Sequence, residues 1–394
     1  MQNAEFRIQT MTSRATVSAF CILHSALLLG AACSPRPTQV SNSRKGAYET
    51  ALTPFGQGFA VAWYDIRHGQ GEIYARILNV NGQPTGPERR LTDGPEDSYE
   101  ASIDRLGDDL VVAWYDQTSK GQQTAKLGMW GRDGTNRWVH AFDGGSRNPV
   151  ILSHGTAVFC AWIQAEDDGR EAVFAGWWES NGRPRSPPVR LGAASKTTWN
   201  LNATLDESGV AWVVFDAEAS TRASEVYIAR AAASSAGAVR LTKDDGAPSK
   251  YPDLAIAPGG RTALSWQDDR DGNQEVYLLT GRLGDLTGEI DGRGRRVTAT
   301  PGESIGAYLM WNRDRLGLAW SDKTGGQHEI YFESFDANGA SRDSARRLTE
   351  NATWSLVPAI QPHGDGFALA WNEYAPATER IHDGTSEVFF LSVP

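Results

Sequence analysis

The 394-residue sequence is poor in cysteine, with three, and in histidine, with seven. Cys21 and Cys33 fall in an apolar N-terminal stretch and only Cys160 lies in the body, so a disulfide framework is excluded and stability must come from the core. Cys160, in the run AVFCAW, reads as a small buried hydrophobe. The histidines are scattered, and neither an HExxH motif nor the Cys/His spacing of a zinc site occurs. Apolar residues do not recur at helical spacing, so a helical solenoid is excluded. Positive charge is in deficit, with 38 Lys and Arg against 48 Asp and Glu, which argues against nucleic acid or an anionic membrane surface as the main partner.

What the chain has is a repeat. Residues 48–92 read as four short β-segments (ETAL, FAVAWYD, EIYARIL, RRLT) separated by turn-forming stretches. With Trp63 as marker, the equivalents are Trp114, Trp162, Val214, Trp266, Trp320 and Trp371, at intervals of 48 to 54 residues. Seven copies of a four-stranded unit at this period predict an all-β, seven-bladed β-propeller of antiparallel blades. Hairpin midpoints predict Tyr48 opposite Trp63, Trp63 opposite Tyr74, and Tyr74 opposite Leu91. The last repeat ends after its third strand, EVFFLSV. Val40, within Gln39-Val40-Ser41, lies 23 residues before Trp63, the spacing that separates Leu91 from Trp114. The N-terminal strand around Val40 is therefore expected to join the last blade and close the ring, leaving no exposed edge.

Three segments follow: an export signal over residues 1–32, a tether over 33–39 and the propeller over 40–394. Met11-Thr-Ser-Arg14 and the apolar run AFCILHSALLLGAA form a short signal, with Met11 the expected start. LLLGAAC around Cys33 resembles a bacterial lipoprotein signal, with Gly30 where Leu is usual. That resemblance implies lipidation of Cys33 and, with Ser34 next, the outer membrane, on its periplasmic or its surface side, with the lipid as the only membrane contact.

Two residues beyond each marker stand Asp65, Asp116, Gln164, Asp216, Asp268, Asp322 and Glu373. The hairpin register sets Glu72, Ala125, Ala172, Glu225, Glu275, Glu329 and Glu387 opposite them, so five blades pair two carboxylates. A glycosidase-type acid pair is needed once, not five times. Ca²⁺ would accept such oxygens, but the intervening loops match no calcium-loop spacing, so no cofactor or metal is expected. The remaining reading is structural: Asp accepts turn N–H groups, and Glu meets a loop Arg such as Arg67 or Arg270. Asp65, Arg67, Glu72, Asp216, Glu225, Asp268, Arg270, Glu275, Asp322 and Glu329 nevertheless mark the candidate ligand face. Trp130, Trp138, Trp177 and Trp178 form a candidate aromatic patch, and Tyr48, Tyr99, Trp199 and Tyr251 start inner strands where a channel ligand could reach them. No catalytic residue is nominated.

Residues 258–298, PGGRTALSWQDDRDGNQEVYLLTGRLGD…RRVT, carry a W-x-D, R-x-G, E-[IV]-Y, R-[LV]-T series. This series resembles the blades of periplasmic TolB-like propellers and of bacterial cell-surface propellers. The resemblance covers residues 40–394 and implies envelope-associated binding, although TolB-like proteins have six blades and a separate N-terminal domain. The sialidase Asp-box is approached only at 132–138, where Asp133 and Trp138 are correctly separated but Gly134 comes one position early. The sequence thus leads to an envelope-anchored, monomeric binding or scaffold lipoprotein with a protein or glycan partner. A carbohydrate-active or carbohydrate-binding propeller is the alternative.

Overall fold

Alternation of alanine with large apolar residues, punctuated by glycine turns, builds seven separate four-stranded antiparallel sheets. The computed structural model describes residues 36–192, 195–232, 237–286, 288–290, 293–375 and 384–394. The expected export signal (1–32) and the lipidation site Cys33 lie outside them. The first blade consists of Ala47–Phe55, Gly58–Asp65, Glu72–Leu78 and Arg89–Arg90, from the channel outward. The other inner strands are Asp97–Leu106, Ser146–His154, Thr198–Leu205, Ser249–Ala257, Ser304–Asn312 and Trp354–His363.

The second strand carries the core. Every residue of Gly58–Asp65 is buried. Ala60, Ala62 and Tyr64 face the second blade, against Ile103, Leu110 and Val112. Val61 and Trp63 face the seventh, against Ala368 and Ala370. Small residues let neighbouring blades approach; large ones fill the wedge that opens with radius. The hairpins at the far end are two-residue turns such as Gly56-Gln57, where Gly56 takes φ 60°, the left-handed conformation that the strands' twist demands.

The ring closes as expected. Thr38–Gln39 pairs antiparallel with Thr385–Val393, setting Gln39 opposite Phe389, and the Val40 N–H donates to the Val388 carbonyl at 2.7 Å. Ser41 takes the role that Thr92 has in the first blade. Its Oγ donates to Glu387 and accepts the Val388 N–H at 2.7 Å, as Thr92 donates to Glu72 and accepts the Ile73 N–H at 2.9 Å.

Five register expectations are corrected. Trp63 does face Tyr74, but Tyr48 faces Tyr64, because one extra residue is accommodated between Tyr48 and Ala51. Tyr74 faces Arg90 rather than Leu91, because the connection first makes its own turn, with an Asn79 to Gln83 bond and a Leu78–Pro84 bridge, before the outer strand starts. In the fourth blade the marker is Phe215, stacked on Tyr227 at 5.6 Å, and not Val214. Its second-to-third-strand loop is one residue longer, so Glu225 faces Ala217, and Asp216 turns to the opposite side of the sheet. The second blade has the same lengthening, which sets Asp116 opposite Thr124 instead of Ala125.

Candidate functional site

The repeated carboxylates are built into the blades. Asp65, Glu72, Asp216, Glu225, Asp268, Glu275, Asp322 and Glu329 are at most 2% exposed. Asp65 accepts the Trp63 indole N–H at 3.1 Å, Ser43 at 2.8 Å, the Arg67 backbone N–H at 2.9 Å and the Arg67 guanidinium at 2.6 Å. Asp268 repeats the set with Trp266, Ser249 and Arg270, and its pKa is held low by the Arg270 hydrogen bonds against the opposing effect of burial. Arg67 and Arg270 lie over the Tyr74 and Tyr277 rings at 4.4 and 5.0 Å. Opposite, Glu72, Glu275 and Glu329 each receive an arginine and a threonine from the outer strand: Arg90 and Thr92, Arg296 and Thr298, Arg347 and Thr349. The R-[LV]-T signature is therefore a clamp on the third-strand glutamate. It lets two carboxylates stand side by side without net repulsion.

The four tryptophans do not share one surface. Trp130 is buried against Trp114 at 5.7 Å, and Trp178 is buried among His140, Phe142 and Trp162. Trp138 donates to the Ser180 carbonyl at 2.9 Å, tying the second blade to the third, and Trp177 lies on Phe159 at 5.3 Å.

The seven inner strands enclose a central channel of about 880 Å³. The extra residue near the start of each strand places one side-chain position on the channel seven times: Glu49, Glu100, Asn148, Asn200, Tyr251, Gly306 and Val357. Six of the seven take a left-handed φ of 48° to 60°. This ring is not symmetric. Two glutamates stand side by side on blades one and two, two asparagines on three and four, and small or apolar groups on six and seven.

Deeper carboxylates have a structural task. An inner strand presents unpaired N–H groups to its neighbour, and Asp253 captures that of Leu309 at 2.7 Å while accepting Asn202 at 2.6 Å. Asp104 does the same for Ser153 at 2.6 Å, with Thr53 at 3.2 Å. Burial nevertheless pushes Asp253 up to about 6.

Glu49 and Glu100 are different. Burial raises both pKa values, that of Glu100 to about 7 against the pull of Arg147. Glu49 is raised further by the charge of Glu100, and its Oε2 has no hydrogen-bond partner among the described residues. Arg147 is occupied elsewhere, donating to Glu171 at 2.9 Å, to the Thr198 carbonyl at 2.6 Å and to Asn148 at 3.0 Å. Tyrosines surround the pair: Tyr48 packs on Tyr64 at 5.3 Å, Tyr64 on Tyr99 at 5.1 Å, and Tyr99 on Tyr115 at 5.8 Å. Around the ring, on blades four and five, Trp199 is 51% and Tyr251 42% exposed, in contrast to Tyr48 at 3%. Tyr251 lines the same channel as both glutamates.

Sequence reasoning reached Tyr48 and Tyr99 but not the glutamates that follow them. It weighed positions alike in every repeat, whereas the signal lay in a position that differs.

No protein-family model and no curated relative matches the sequence. Solved structures do resemble it. A protein of unknown function from Dyadobacter fermentans aligns at 9% identity over 91% of this chain and 98% of its own, with a TM-score of 0.52. An α-L-arabinanase from Penicillium chrysogenum, complexed with arabinobiose, aligns at 10% identity over 91% and 99%, with a TM-score of 0.51. At these identities the likeness shows the propeller fold alone.

Proposed function

We propose that this protein is a carbohydrate-binding propeller that takes its ligand into the mouth of the central channel. The observation that carries the reading is the asymmetry of the bulge ring. One sector supplies the paired carboxyls of Glu49 and Glu100 and the amides of Asn148 and Asn200, and another supplies the exposed ring of Tyr251. Sugar rings stack their C–H faces on aromatic platforms and satisfy carboxyls and amides through their hydroxyls. A scaffold that used the repeated rim would not need one sector unlike the others. The fold-level likeness to an arabinanase is compatible with this reading, and the lipoprotein resemblance at Cys33 adds an envelope location to it. Calorimetric titration with neutral oligosaccharides of defined linkage tests the proposal. Saturable heat that Tyr251→Ala removes supports it, and absence of heat with every sugar class, amino sugars included, overturns it.

A second reading, glycoside hydrolysis, is favoured by the glutamate pair itself. Two carboxyls side by side on the channel wall, both pushed toward the protonated form, are the kind of pair acid–base chemistry uses. Release of reducing ends that Glu49→Gln and Glu100→Gln each abolish would establish it.

A further inference from the structure

We infer that the ligand of the channel mouth carries a protonated amine, and that among sugars it is one with free amino groups. This inference rests on the proposal that the channel mouth binds a carbohydrate.

Charge balance on the channel wall is the first argument. The residues lining it include Glu49, Glu100, Asp104 and Asp253, and among the described residues no lysine or arginine lines it. A cavity walled by groups of one sign of charge concentrates ligands of the other. An acidic sugar adds like charge there, whereas a cation supplies the partner that the charged form of these carboxyls lacks.

Hydrogen bonding supplies the second. Asp104 and Asp253 have their backbone N–H partners, and the blade carboxylates have their arginines or hydroxyls. Glu225 also keeps an oxygen without a partner, but Thr242 holds its other oxygen and it does not line the channel. Glu49 and Glu100 also line the channel with no ion pair among the described residues, Glu49 keeps Oε2 without a partner, and the neighbouring Arg147 is occupied by Glu171 and Thr198. Two carboxyls on adjacent strands, lined up by the same left-handed bulge, offer acceptors to a group that brings several donors. An ammonium brings three.

The surroundings narrow the class further. Tyr251 lines the channel and is exposed, presenting a π-face, which attracts cations and also stacks on sugar rings. A divalent metal would want more oxygen or nitrogen ligands than two carboxyls, and among the described residues no group of three or more His, Cys, Asp or Glu is placed to hold one.

Calorimetric titration of the full chain with three tetrasaccharides of one linkage type tests this: β-1,4-glucosamine, its N-acetylated form, and β-1,4-glucose. The free-amine oligomer should bind at least tenfold more tightly than the other two. Glu100→Gln and Glu49→Gln should each shrink that preference several-fold while the melting profile stays cooperative, and Tyr251→Ala should weaken all three oligomers. Equal or tighter binding of the acetylated or neutral oligomer overturns the amine inference and leaves the carbohydrate reading standing. Binding of a simple alkyl diamine with no binding of any sugar upholds the amine and overturns the carbohydrate. Failure of all of them overturns both.

Discussion

The indole N–H of Trp63 donates to Asp65, two residues further along the same strand, at 3.1 Å. The same bond joins Trp114 to Asp116, Trp162 to Gln164, Trp266 to Asp268 and Trp371 to Glu373. It gives a buried tryptophan the partner its N–H needs and fixes the acceptor that organises the following turn. Asp268→Ala strips Arg270, Ser249 and Trp266 of their shared acceptor at once. Breaking a buried pair in this way costs about 3–5 kcal/mol, and urea unfolding should show it. A loss below about 1 kcal/mol would mean that the clamp is dispensable, as the fourth blade's Ala217 hints it can be where hydrophobic packing substitutes.

Ring closure can be tested by shortening. A chain that begins at residue 42 loses the Gln39–Phe389 pairing, the fully buried Val40 and the Ser41 bonds to Glu387 and Val388. Burial of Val40 alone is worth roughly 1.5–3 kcal/mol, and the last blade's edge would be bared. Lower thermal stability together with dimers or aggregates in size-exclusion chromatography is the expected result.

The glutamate pair gives stability a pH signature. Burial raises the Glu100 pKa in the folded state to about 7, above its ordinary value of about 4.3 in an unfolded chain. A folded state that holds protons more tightly than the unfolded one is favoured at low pH, so this contribution is complete below the unfolded value and fades as pH rises through 7. Melting temperature should therefore fall between pH 5 and 8 in the native chain, and the fall should be shallower in Glu100→Gln. Parallel profiles for the two would sink the assignment.

Val357 takes φ 53°, a conformation that a β-branched residue adopts only when its surroundings force it. Gly306 occupies the same bulge one blade earlier at φ 60°. Val357→Gly should stabilise the protein by about 1 kcal/mol by releasing strain of the 1–3 kcal/mol order. Gly306→Val should destabilise it by a similar amount, as read from urea midpoints.

Much of this architecture was legible in the sequence. Trp63, Tyr74, Asp65 and Glu72 recur at fixed spacing, and spacing sets register wherever a hairpin is simple. Val40 at its distance from Trp63 foretold the closing strand. What the spacing concealed was the bulge after Tyr48, since an extra residue is invisible when every repeat carries it. The same bulge turned Glu49 and Glu100 toward the channel, so the error of register and the oversight of the site have one cause. The fourth blade's longer loop hid Phe215 behind Val214, because both are apolar and only the cross-strand partner Tyr227 tells them apart.

The closing strand has a direction as well as a position. Inner strands run away from the mouth, so the last blade's third strand does too, and Thr38–Gln39, antiparallel to it, runs back toward the mouth. Thr38 thus stands on the side of the ring away from Tyr251. The segment that locks the ring therefore leaves the acidic opening clear.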